Sequence, residues 1–441
     1  MKEKIGIISL GCAKNLVNTE QMMYLLDEAG YEVTGDVDSV DAVIVNTCGF
    51  IEASKMEAIE TIIELGYKKR DGHIRKLIVT GCLAERYKDE MLLEMPEIDT
   101  IVGVGSFDEI AEAVRKTMQT EHKNTYYGDV NANLSETKRL ISTSPVWAYL
   151  KIAEGCDNHC AYCVIPAIRG KFRSRSIEHI MLEARELVES GIRELIIIAQ
   201  DVSRYGLDLY GKRMLAKLLE ELCKLDSIKW IRLHYLYPDE IDKELVDVIA
   251  NNDIIAKYLD IPFQHVNDRI LSNMGRRSSG SEIKSLLRYI RRRIPNAVIR
   301  TSIIAGLPGE GEAEFDELAR FLQSAKIERV GVFVYSPEEG TVAAMMDRPD
   351  REVAEHRANA LIDLQSLVMD EFNSTRIGSI TTVLIEGINN GVYYGRSYAE
   401  SPDVDGCINV TGENIAVNDF VDVKITAAID GELYAEKIDN R

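Results

Sequence analysis

Apolar residues along the first 120 positions fall in short runs separated by polar-studded stretches of helical period. The runs are "KIGIISLGC", "DAVIVNTCG", "KLIVTGC" and "IDTIVGVGS", with segments such as "TEQMMYLLDEAG", closing on Gly30, between them. Brief apolar runs alternating with amphipathic helices predict βα units around a parallel sheet over residues 1–120. Residues 121–139 carry Asn, Thr and Ser but few large apolar side chains, which predicts a linker.

A second series starts at "PVWAYLKIAEGC". Its candidate strands are "WAYLKIA", "ELIIIAQD", "WIRLHYL", "YLDIPFQ", "VIRTSIIAG" and "RVGVFVYS", separated by helical stretches such as "SIEHIMLEARELVESG". Six βα units without a hairpin signal predict an open or partial (β/α) barrel over 140–372, with ligands at the C-terminal ends of its strands. A long amphipathic helix, roughly 351–374, leads out of it. Over 375–441 two β-rich runs flank Asn390-Gly391, a hairpin signal. Further strand patterns there predict a small five-stranded antiparallel barrel.

Composition narrows the class. The chain has 441 residues, 46% hydrophobic and 28% charged, which suits about three globular domains. The N-terminal apolar run is too brief for a signal peptide or a membrane span, so a cytoplasmic location with no membrane partner is expected. Eight cysteines in such a chain point to ligands or buried thiols rather than disulfides. A net charge of −20 favours a basic protein partner over a nucleic acid.

The chemistry lies in the cysteines. "EGCDNHCAYC" sets Cys156, Cys160 and Cys163 on a loop after an apolar strand. A closed zinc site needs four protein ligands, commonly as paired C-x-x-C knuckles, and that pairing is missing. Three thiolates on a four-iron cluster leave one iron open to a small molecule. Cys12, Cys48 and Cys82 each end an apolar run, about one βα unit apart. In a parallel sheet equivalent strand ends share one edge, so these three can converge on a second cluster, although a lone cysteine there is commonly a buried apolar residue. Cys223 and Cys407 have no such companions and read as structural.

The C-x-x-x-C-x-x-C spacing ending in "CAYC" resembles the radical S-adenosylmethionine (SAM) superfamily. That resemblance implies a [4Fe-4S] cluster whose open iron binds SAM, with Tyr162 near the adenine. "SIIAGLPGE" looks like the superfamily's Gly-rich adenine-contacting stretch, shaped by Gly306 and Pro308. Gln200 and Asp201, at the end of the second barrel strand, stand where they could touch SAM or substrate, or cap the next turn. No catalytic residue can be named.

With two cysteine trios and a terminal barrel similar to the TRAM domain, nearly the whole chain resembles the methylthiotransferases. The implied fold is an N-terminal parallel α/β domain, a partial-barrel radical SAM core and a TRAM-like β-barrel. The implied reaction replaces C–H by C–S–CH₃, with two [4Fe-4S] clusters, SAM and an electron donor such as flavodoxin or ferredoxin. Family members act on tRNA adenosine or on the β-carbon of an aspartate in ribosomal protein S-12. "SLGCAKNLVNTE", "YLKIAEGCDNHCAYCVIPAIRGKFRSR", "IIAQDVSRYGLDLYG" and "VYSPEEGTVAA" look like the ribosomal-protein branch, with Ala13 where Pro is common. Residues 375–441 hold five basic side chains (Arg376, Arg396, Lys424, Lys437, Arg441) against eleven acidic ones, among them Glu400, Asp403, Asp405, Asp419, Asp422 and Asp430. That balance suits basic S-12, free or in the small ribosomal subunit, and disfavours tRNA. The cations of "RGKFRSR" (Arg169, Lys171, Arg173, Arg175) read either as an attractor for a carboxylate or as a solvated loop. The rival from another class is a non-enzymatic iron–sulfur carrier or scaffold.

Overall fold

The computed structural model describes residues 2–438, so Arg441 lies outside the described residues. The N-terminal sheet contains β1 (Lys4–Ser9), β2 (Glu32–Thr34), β3 (Val40–Thr47), β4 (Ile74–Gly81), β5 (Thr100–Val102) and β6 (Asn124–Tyr126). Its spatial order is β2-β1-β3-β4-β5-β6, all parallel. The four apolar runs became β1, β3, β4 and β5. β6 falls inside the expected linker, because an edge strand needs only one partner and little apolar surface. The rest of that segment is also tied down: Asn131 accepts the Lys171 amide at 2.8 Å, and Arg139 pairs with Glu20 and Glu183. The stretch 121–139 is therefore a packed connection, not a free linker.

The core adds β7 (Trp147–Lys151), β8 (Ala153–Glu154), β9 (Arg173–Ser174), β10 (Glu194–Ile198), β11 (Trp230–Leu233), β12 (Ile255–Asp260), β13 (Val298–Ala305) and β14 (Arg329–Val334). Six of them form one parallel sheet in the order β14-β13-β12-β11-β10-β7, the six strands expected. The short antiparallel pair β8–β9 had no hairpin signal, since its strands are two residues each and close around the cysteine loop.

The two faces of this sheet have different covers. Leu150, Leu195, Ile197, Ile231, Leu259 and Ile299 pack outward under the helices. Trp147, Tyr149, Ile196 and Trp230 pack inward against Val17 of the N-terminal domain and Leu384 of the C-terminal barrel. The inner face is thus completed by both flanking domains.

β15 (Ile380–Asn389), β16 (Val392–Arg396), β17 (Ile408–Thr411), β18 (Phe420–Ile429) and β19 (Glu432–Lys437) close a barrel in the order β15-β16-β17-β19-β18. Asn390 and Gly391 turn the first hairpin with φ of 49° and 82°, the positive pair that a two-residue I′ turn requires. Docking consumes several acidic residues of this unit. Glu400 is buried between Arg329 and Arg376, Asp405 accepts the Tyr258 hydroxyl at 2.7 Å, and Asp403 accepts that of Tyr149 at 3.2 Å. Glu194 joins Arg232 and Arg396 at 2.8 Å each across the same interface.

Candidate active site

The register of the first sheet explains how three distant cysteines meet. Ser9 lies beside Asn46, Asn46 beside Thr80, and Thr47 beside Gly81, so β1, β3 and β4 release the chain at one edge. Cys48 and Cys82 follow the last two of those strands directly. Gly11 crosses so close to Cys48 that an added Cβ would lie 3.0 Å from its sulfur; at φ +88° only glycine fits comfortably. Gly49, beside Cys48, runs so close to Cys82 that an added Cβ would lie 3.0 Å from the Cys82 carbonyl carbon, and the Cys82 sulfur stands 3.8 Å from Asn15 Oδ1, three residues after Cys12.

The neighbourhood is completed from another domain. Arg169, 2% exposed, donates from Nε to the Cys82 sulfur at 3.3 Å and from Nη1 to Glu154 at 2.9 Å. Its other nitrogen, Nη2, donates to Asn15 Oδ1. Asn15 is held in turn by the carbonyls of Leu10 and Thr47. The reading of "RGKFRSR" as a solvated loop or a substrate attractor fails for Arg169, which is a buried bolt between the two cysteine regions. Arg175 is likewise committed, to Glu136 and Glu183. Burial opposes ionisation of Cys12, yet Lys14 and Arg169 outweigh it and hold the thiol below its ordinary value. Burial pushes Cys82 up to about 11 against the pull of Arg169.

The second trio is local. Cys156, Cys160 and Cys163 sit on one loop tied by the Cys163 amide on the Cys160 carbonyl at 3.0 Å. The amides of Asn158 and Ile165 donate to the sulfurs of Cys156 and Cys163 at 3.4 Å each. Arg276 Nη1 stands 3.7 Å and the Tyr237 hydroxyl 3.5 Å from the Cys160 sulfur. Desolvation raises Cys156 to about 11 and Cys163 to about 12. Among the described residues no three His, Cys, Asp or Glu side chains are grouped to hold a single metal ion. A four-iron cluster takes its thiolates on different irons, so three clustered thiols with amide and guanidinium donors fit it better. A cavity of about 500 Å³ opens beside Cys160 and Cys163, walled by Arg86 and Lys88 of the N-terminal domain and by Glu339–Val342.

The other expected contacts are placed as follows. Tyr162 shares an apolar cluster with Leu307, next to Gly306 and Pro308. Gly306 has φ +80°, and an added Cβ would meet that of Ala354 at 2.3 Å, so its conformation serves packing of the helix Arg351–Thr375. Gln200 donates to Glu154 at 3.3 Å and leaves its Oε1 buried without a partner, an acceptor free for a ligand. Asp201 caps the turn after β10 through Ser203 and accepts from Asn158 at 2.8 Å, holding the cysteine loop. Lys14, Asn15 and Glu154 carry no motif of their own in the sequence, and nothing there sets Arg169 apart from the other cations of "RGKFRSR". For Lys14 and Asn15 the signal is the helix Ala13–Glu28, where Lys14, Asn15, Asn18, Thr19, Glu20 and Gln21 are buried at positions that a surface helix leaves to water.

Comparison with known proteins agrees with this architecture. Residues 4–103 match the model of the uncharacterized protein family UPF0004, 150–322 that of the radical SAM superfamily and 377–438 that of the TRAM domain. The chain is 45% identical to "Ribosomal protein uS12 methylthiotransferase RimO" of Acetivibrio thermocellus, over 99% of both chains. Identity is 46% to the protein of that name in Clostridium perfringens, covering 98% of this chain and 97% of the relative. The fold resembles the radical SAM methyltransferase TsrM of Kitasatospora setae, with TM-score 0.58 and 15% identity over 81% of this chain and 78% of that one. It also resembles the cobalamin-dependent radical enzyme OxsB, with TM-score 0.51 and 12% identity over 82% and 56%. With that identity along its whole length, the chain belongs to the ribosomal protein uS12 methylthiotransferase family of radical SAM enzymes.

Proposed function

We propose that this chain methylthiolates the β-carbon of an aspartate in ribosomal protein uS12. Membership of the radical SAM superfamily implies a [4Fe-4S] cluster and SAM. Cys156, Cys160 and Cys163 would hold that cluster, and Cys12, Cys48 and Cys82 a second one. Bound together, the reduced cluster and SAM supply a hydrogen-abstracting radical, and the second cluster a site for sulfur. The chain's own part is positional. Asn158 and Ile165 amides and Arg276 stabilise the thiolates of the core loop, while Gln200 offers its free acceptor and Tyr162 an apolar wall to SAM.

The observation that carries the reading is the Arg169 bridge. It ties the segment after the core trio to Cys82 of the other, so two cysteine sites share one buried interface. Choice of uS12 is supported by the exposed Glu413, Asp419, Asp430, Glu432 and Glu436 of the C-terminal barrel, which suit a basic protein and repel phosphates. Flavodoxin or ferredoxin would serve as electron donor, and uS12 would be met free or within the small subunit.

The test is incubation of the anaerobically reconstituted enzyme with SAM, a reductant and either uS12 or tRNA, read by mass spectrometry. A methylthio adduct on the uS12 aspartate is expected. An adduct on tRNA alone, or no 5′-deoxyadenosine at all, would contradict the proposal.

A further inference from the structure

Three lysines are buried among the described residues: Lys14, Lys76 and Lys151. Lys76 donates to the Thr120 carbonyl and to Glu121, and Lys151 pairs with Glu154 at 2.9 Å. Lys14, 8% exposed, has no oxygen acceptor and no carboxylate within ion-pair distance among the described residues. Its Nζ instead stands 3.6 Å from the centre of the Tyr235 ring. A cation–π contact contributes about 0.5–2 kcal/mol, whereas burying an ammonium costs several kcal/mol. The nearby carboxylate, Glu154, is already shared by Arg169, Lys151 and Gln200. Apart from the Cys12 thiol two residues away, the interface leaves Lys14 no anionic partner, and its Nζ keeps hydrogen-bond donors to offer.

The place of this charge is informative. Lys14 follows Cys12 by two residues. Tyr235, beneath it, lies just beyond β11, two residues before Tyr237, whose hydroxyl is 3.5 Å from the Cys160 sulfur. Tyr235 has φ +63°, a strained conformation for an aromatic residue, and its amide is pinned by Asp260 at 3.2 Å. One short segment thus carries Lys14 at one end and the core trio at the other. A carbon that gives up hydrogen at one site and takes sulfur from the other must sit between them.

We infer that Lys14 binds the side-chain carboxylate of the target aspartate and so aims its β-carbon at the barrel mouth. The inference rests on the uS12 reading above. The carboxyl carbon is bonded directly to the β-carbon, so a cation fixed on the carboxylate restricts the β C–H directions. The carboxylate supplies the acceptor that Lys14 lacks. Asparagine, isosteric but neutral, would offer only an uncharged acceptor.

The test is a charge-swap cycle on reconstituted holoenzyme with SAM bound. The probes are a peptide of the uS12 loop and its Asp→Asn counterpart, with binding read by fluorescence anisotropy on preparations of equal iron content. Wild type should prefer the Asp peptide by tenfold or more, about 1.4 kcal/mol. Lys14→Met should bind both peptides equally, at the wild-type affinity for the Asn peptide, and Lys14→Arg should keep most of the preference. The unchanged Asn-peptide affinity shows that the fold survives the substitution. If Lys14→Met keeps the wild-type Asp/Asn binding ratio and still methylthiolates uS12, the assignment to Lys14 is overturned while the uS12 reading stands. If wild type binds neither peptide and modifies no uS12, both readings fall together.

Discussion

The two cysteine trios are built in opposite ways. Cys156, Cys160 and Cys163 lie on one loop, with thiols hydrogen-bonded by amides two residues along. Cys12, Cys48 and Cys82 come from three strand ends, and Arg169 of the core completes their surroundings. A loop site can form wherever the loop folds. The N-terminal trio comes from one sheet edge, but its surroundings are complete only when the core docks and brings Arg169 to Cys82. On the proposed function, radical initiation falls to the local site and the step that needs both domains to the shared one.

The strongest way to break the comparison is to delete one site at a time. Cys156→Ala should abolish 5′-deoxyadenosine formation, whereas Cys82→Ala should preserve it and lose only the methylthio product. Equal loss of SAM cleavage in both variants would dissolve the distinction. Arg169→Leu tests the bridge. Removing one partner of a buried pair costs about 3–5 kcal/mol. The melting temperature should fall, and the N-terminal site should lose iron first while the core keeps its own. Arg169→Lys should recover part of the stability.

A third test concerns the other interface. Burial would raise the Glu400 carboxyl, but Arg376 and Arg329 bring it down to about 2. A carboxyl depressed in the folded state adds stability above its unfolded value and loses it as pH falls toward the folded one. Glu400→Gln should therefore lower the melting temperature clearly near pH 6, with the gap to wild type narrowing toward about pH 3. The smallest effect is one of reactivity. In iron-free protein, Cys12 should be alkylated by iodoacetamide at mildly alkaline pH ahead of Cys82, Cys156 and Cys163, because the nearby cations lower it while burial raises the others. Peptide mass mapping over time reads the order.

Much of the fold was legible, for local reasons. The six barrel strands announce themselves as apolar runs between helical periods, and Asn390-Gly391 specifies its turn by φ alone. The six cysteines were visible because spacing and strand-end position are local properties, as was the absence of paired knuckles. What stayed hidden depends on contacts between segments far apart in the chain. Arg169 and Arg175 look alike in "RGKFRSR", yet one crosses to Cys82 and the other pairs with Glu136 and Glu183. The acidic excess of residues 375–441 suggests a partner-facing surface, yet Glu400, Asp403 and Asp405 are spent on docking. The motif around Gly306 is local, whereas its close approach to Ala354 depends on a helix some fifty residues on.

The central claim is that the chain carries two independent iron–sulfur sites. The direct measurement is iron and acid-labile sulfide per chain after anaerobic reconstitution of wild type, Cys12→Ala and Cys160→Ala. The account predicts roughly eight irons for wild type and about four for each variant, with SAM cleavage surviving only in Cys12→Ala. Unchanged iron in Cys12→Ala would contradict it.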